Sequence, residues 1–123
     1  MSILGNLESE LARWRLAGLT PRFWLRDDDA TRPTPALDRL FDIVRRYDVP
    51  LLLAVIPMEA TDAPAHAVGH EALVTPAIHG YAHRRHTPDG VPALELGGGR
   101  AVKEILDELR TARARLGDLL GEQ

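Results

Sequence analysis

The 123-residue chain contains no cysteine. Disulfides, thiolate metal sites and thiol nucleophiles are therefore excluded, and the redox compartment is left open. Lysine is nearly absent: Lys103 is the only one, and arginine carries the remaining positive charge as a compositional bias. There is no surplus of positive charge either, since the formal net charge is -3, and nothing electrostatic argues for nucleic acid. Long apolar runs are missing, and none approaches the roughly 20 residues that span a bilayer. The first stretch carries Glu8, Glu10, Arg13 and Arg15, which interrupts any secretory apolar segment. A cytoplasmic protein with no membrane partner is expected. Phosphate-binding fingerprints are lacking too: Gly97-Gly98-Gly99 sits in neither a G-x-G-x-x-G nor a Walker pattern, and reads as a flexible turn.

What is present is an ordinary globular composition, 45% apolar and 27% charged, long enough for one domain and one core. Residues 2–17 carry Leu4, Leu7, Leu11 and Trp14 at helical spacing, with Gly18 as the stop. This helix (residues 1–20 with its flanks) is expected to pack on the domain and cover one end of its core, the alternative being a partner-binding helix. The rest, residues 21–123, is expected to form one partial βα domain. Phe23-Trp24-Leu25 reads as the buried part of a strand over 22–26. Thr34-Pro35 opens a helix, with a hydroxyl cap followed by proline, which lacks the N–H that would go unpaired there. Leu37, Leu40, Phe41, Val44 and Tyr47 form its stripe, and it ends near Asp48.

Residues 51–56 are apolar on both faces, as suits a parallel strand covered on both sides. A short helix over about 61–71 holds His66 and His70 at i, i+4 spacing, read as surface histidines because no carboxylate motif accompanies them. A third strand is expected over 76–79, then a Pro- and Gly-rich loop over 84–99. A final helix over 100–120 follows, with Val102, Ile105, Leu106, Leu109, Leu116, Leu119 and Leu120 on one side. Strand starts about 25–28 residues apart match βαβ units. The fold class expected is α/β, a parallel sheet of about three βα units with an N-terminal helix. Ligands of such sheets bind at the carboxyl ends of the strands.

Two polar stretches fall at those ends. Asp27-Asp28-Asp29 packs three like charges together, which costs energy unless a cation sits among them. His79-Gly80-Tyr81-Ala82-His83 offers two imidazoles four residues apart. A carboxylate from one strand end and two imidazoles from another make a three-ligand site with open positions.

These stretches resemble the two leading motifs of the polysaccharide deacetylase family (NodB homology, carbohydrate esterase family 4). Arg26-Asp27-Asp28-Asp29-Ala30 resembles T-F-D-D-G, and His79-Gly80-Tyr81-Ala82-His83 resembles H-[ST]-x-x-H, with Gly80 where Ser or Thr is usual. The phrasing of both is most similar to a bacterial deacetylase branch of that family. The resemblance implies Asp28 as the general base, and Asp29, His79 and His83 as ligands of a divalent metal, zinc by preference. It implies removal of acetyl groups from N- or O-acetylated carbohydrate, or from a small acetylated substrate. Asp27-Asp28 is the alternative pair; Asp28-Asp29 is preferred because Ala30 then stands for the small Gly.

The family fold is a distorted (β/α) barrel of seven or eight strands, and only its front half is matched, over residues 21–121. The later motifs, including the catalytic acid histidine, do not follow. His86 reads as a loop histidine rather than their substitute. Three strands cannot close a barrel. Such a chain is expected to self-associate as a homo-oligomer or to be part of a longer protein. Two function classes follow: a metal-dependent deacetylase, or a truncated, non-catalytic α/β module that keeps the metal-site residues and serves binding or assembly.

Overall fold

Leu51 to Val55 has no polar side chain on either face and four of its five residues are buried; it is also the middle strand of the sheet, paired on both edges. In the computed structural model, which describes residues 3–61, 68 and 71–121, the sheet has the order β1-β2-β3. The strands are β1 (Leu25–Ala30), β2 (Leu51–Val55) and β3 (Val74–Ile78), and both pairings are parallel. The helices are α1 (Ile3–Leu16), α2 (Pro35–Tyr47) and α3 (Val102–Leu120). The α/β class and the three-stranded parallel sheet expected from the sequence are present, and among the described residues helices follow β1 and β3; the sheet is open at β1 and β3.

α2 begins as its cap chemistry dictates. Thr34 Oγ1 accepts the Leu37 N–H at 3.1 Å, and Pro35 follows in the first turn. It ends at Asp48, whose left-handed backbone (φ 51°) turns its N–H back to the Val44 carbonyl. Its apolar stripe buries Leu37, Phe41 and Val44. These join Leu51, Leu53, Val55, Val68 and Val74 with Leu116 and Leu119 of α3 in one contiguous core.

Four expectations need correction. β1 does not run over 22–26 but over 25–30, because its pairing starts at Leu25 opposite Leu51, the first residue of β2. Phe23 and Trp24 are consequently outside the sheet, 73% and 71% exposed, and the aspartates are inside the strand instead of beyond it. An edge strand accommodates them, since one side of it faces solvent. β3 begins at Val74, also opposite Leu51, and accepts Pro76 because an edge strand loses no ladder bond on its outer side. α1 forms where its periodicity puts it but does not cover the core: none of its side chains is buried. α3 packs only through its second half: Ala112, Leu116 and Leu119 are buried, whereas Val102 is 72% and Leu106 45% exposed. The expected short helix over 61–71, with His66 and His70, lies largely outside the described residues. Among the described residues no helix is long and apolar enough to cross a membrane.

Candidate metal centre

β1 and β3 are not neighbours, so a site shared between them must be built across the end of β2. The main chain arranges this. Past the end of β2, the Ile56 N–H donates to the Ala30 carbonyl at 3.0 Å on one side. On the other side, the Val55 carbonyl accepts the His79 N–H at 2.7 Å. Asp29 and His79 therefore flank the same strand end. Strands lie about 4.8 Å apart, so a span of about 10 Å separates β1 from β3, and a carboxylate and an imidazole reaching from either side can close it.

Regular strand geometry would still defeat the site, because successive side chains point to opposite faces. The pairing register breaks between Asp27, opposite Leu53, and Ala30, opposite Val55. One extra residue is thereby inserted in β1, a bulge, and Asp29 within it has φ 65°. As a result Asp28 and Asp29 both approach the same ring. His79 Nε2 lies 3.1 Å from Asp29 Oδ1, and His79 Nδ1 lies 3.8 Å from Asp28 Oδ1. His83 Nε2 lies 3.6 Å from the same Asp29 oxygen, and the two rings are 5.2 Å apart between centroids. Candidate ligand atoms of Asp29, His79 and His83 all fall within 4.8 Å of one another. Two tetrahedral ligands about 2.0 Å from zinc are separated by about 3.3 Å, so the donor set and spacing fit a divalent ion after a small contraction.

Backbone strain is concentrated here. Among the described residues, the non-glycines with positive φ are Asp29, Asp48 and His83. Asp48 is explained as a helix cap; the other two belong to the candidate ligand trio. Left-handed backbone at a residue with a Cβ persists only where the surroundings impose it, and it clusters at functional sites.

Asp27 pairs with Leu53 and is not in the trio, while Asp28, the candidate base, has an unexpected partner. Arg26 Nε lies 2.5 Å from Asp28 Oδ1, and Arg26 Nη2 lies 3.2 Å from His79 Nδ1. Beside these carboxylates a hollow of about 430 Å³ opens toward the start of α2, lined by Asp27, Asp29, Thr31, Arg32, Leu37 and Leu40 among others. His86 stays outside the trio, and its main-chain N–H donates to the Leu94 carbonyl.

A scan of family models, a search of curated proteins and a search of solved structures each returned no match. What the centre can do is thus decided by its donors and their spacing.

The residue that sequence reasoning missed is Glu95. Its carboxylate accepts main-chain N–H groups of Tyr81 (3.2 Å), Ala82 (2.6 Å) and Arg84 (3.4 Å), inside and just past the histidine turn. The signal available in the sequence was Gly80, with φ 70°, where a Cβ would stand 1.8 Å from Glu95 Oε2.

Proposed function

We propose that this chain is a metal-dependent hydrolase of the polysaccharide deacetylase kind, built like the first half of that family's distorted barrel. Its substrate is an N- or O-acetylated carbohydrate or a small acetylated compound. The observation that carries this reading is the meeting of Asp29, His79 and His83 across the end of β2, with two of the three in left-handed backbone. Asp29, His79 and His83 hold the ion, zinc being the natural choice for two imidazoles and a carboxylate. When bound, it supplies Lewis-acid polarisation of the acetyl carbonyl and a more acidic water.

The protein's own groups do the rest. Asp28, one residue from the ligand Asp29, takes the proton of the attacking water. Arg26 orients its carboxylate through the 2.5 Å contact. The hollow beside Asp27 and Thr31 has room for a sugar ring, and Arg32 on its wall offers donors to sugar oxygens. The chain works in the cytoplasm as a homo-oligomer, without nucleic acid or membrane partners. Hydrolysis of a generic acetyl ester, abolished by chelator and by Asp28→Asn, is the expected result.

One observation favours a second reading. The Arg26 guanidinium bridges Asp28 and His79, and among the described residues no further histidine joins the trio as a general acid. A non-catalytic α/β module that retains the site for binding or assembly has these features. Stoichiometric metal binding without ester turnover would decide for it.

A further inference from the structure

We infer that Glu95 is a positioning residue for the metal centre, docking its carboxylate into the main-chain turn between His79 and His83 so that both imidazoles are held toward Asp29. This rests on the metal-binding reading above.

The turn has no regular secondary structure, so its N–H groups have no ladder partners of their own. Main-chain N–H groups that converge on one point form a nest for an anion. Here Glu95 fills it from 11 to 14 residues away: Oε1 accepts from Ala82 and Arg84, and Oε2 accepts from Tyr81. The Ala82 bond, at 2.6 Å, is the shortest of the three, and Ala82 itself is buried. Room for the carboxylate exists only because residue 80 has no Cβ, and the motif that this stretch resembles carries Ser or Thr at that place.

Glu95 is itself tied from behind. Its carbonyl accepts Arg100 Nη1 at 3.3 Å, and the same guanidinium makes two bonds to Glu108 of α3, at 2.9 and 2.5 Å. Arg100 and Glu108 side chains are only 14% and 25% exposed, so this anchor is sheltered from solvent. The sequence from α3 to Arg100 to Glu95 to the turn is a continuous set of hydrogen bonds that ends one residue from His83 and two from His79. Outer partners of this kind orient metal ligands, and their loss typically costs about 10–100-fold in metal affinity.

The experiment is cobalt(II) and zinc titration of chelator-stripped wild type, Glu95→Ala, Glu95→Gln and Gly80→Ala, with the visible cobalt spectrum and amide hydrogen exchange recorded on each. Expected is roughly 10–100-fold weaker binding in Glu95→Ala, a changed cobalt spectrum and loss of slow exchange at Ala82 in the metal-free protein. Exchange in β2 should stay unchanged. Gly80→Ala should reproduce the effect, because its Cβ evicts the carboxylate. Glu95→Gln keeps the size but presents an amide donor to N–H groups, and should fall in between. Wild-type affinity and spectrum in both Glu95 variants would overturn the inference and leave the metal reading intact. So would faster exchange throughout β2, which marks a merely structural role. No metal binding by wild type would overturn the metal reading, and the positioning role with it.

Discussion

At the residue scale, Asp29 and His83 both hold left-handed backbone at the candidate metal centre. A left-handed conformation costs an L-residue about 1–2 kcal/mol relative to glycine, somewhat less for Asp and His. Asp29→Gly and His83→Gly should therefore leave the metal-free protein as stable as wild type or up to about 1 kcal/mol more so. Both should lose the zinc-dependent gain, about 2.7 kcal/mol at 100-fold excess over the dissociation constant. Urea unfolding with chelator and with zinc measures both, and destabilised metal-free variants would show that the φ values are not strained. Arg26 leads to a second prediction. It presents a donor to His79 Nδ1, yet an imidazole that gives Nε2 to a metal carries its proton on Nδ1. Arg26→Met removes that conflict and a nearby positive charge, so zinc should bind about tenfold more tightly, near 1.4 kcal/mol; weaker binding in calorimetry would refute it. The two stretches were legible in the sequence because a run of carboxylates and a pair of histidines four apart announce themselves; which aspartate joins the histidines rests on the resemblance. Glu95 was not, since its partners are main-chain groups that no sequence pattern marks.

At the scale of elements, legibility followed how locally each one is determined. α2 was readable end to end because Thr34, Pro35 and its own apolar stripe define it without help from other segments. Thr34→Ala should cost about 1 kcal/mol in urea unfolding, since the Leu37 N–H loses its acceptor. β1 was misplaced because its limits are set by the partner: pairing follows β2 from Leu51, and Asp27 to Asp29 read as loop residues by composition. α1 was recognised by period, but burial is not a property of period, and none of its described side chains is buried. α3 carries the pH dependence. Hydrogen bonds from Arg100, with its charge beside it, hold the Glu108 carboxyl below the usual range, and bonds from Lys103 and then Arg110 do the same for Asp107. A carboxyl lowered on folding contributes stability that is present above its unfolded value, about 4.3 for Glu and about 3.9 for Asp, and is lost as pH falls through the folded value. The urea midpoint should therefore drop as pH is taken from 5 toward 3, and the drop should be shallower in Glu108→Gln. An identical acid limb in that variant would show that the Arg100 pair contributes nothing to it.

At the scale of the whole molecule, surface area is the quantity out of line. A folded monomer of 13.6 kDa exposes roughly 6,600 Å², whereas this chain exposes 9110 Å². The excess, on the order of 2,500 Å², is more than the roughly 800 Å² that each partner buries in an ordinary stable dimer. Part of the exposed surface is apolar and lies close together in sequence: Leu16, Leu19, Phe23 and Trp24 are 90%, 58%, 73% and 71% exposed, on the segment that leads from α1 into β1. Edge pairing through β1 is disfavoured by its bulge and its carboxylates, so α1 and the Phe23-Trp24 step are the surface that a second copy should cover. Sedimentation equilibrium at micromolar concentration should then return a mass above 13.6 kDa, and Trp fluorescence should shift to the blue as concentration rises, because Trp24 leaves water. Phe23→Ser combined with Trp24→Ser should weaken association at least tenfold, because the loss of two large apolar side chains from an interface exceeds about 1.4 kcal/mol. A wild-type chain that stays monomeric with Trp24 in water would mean that the excess surface is met by something other than a second copy.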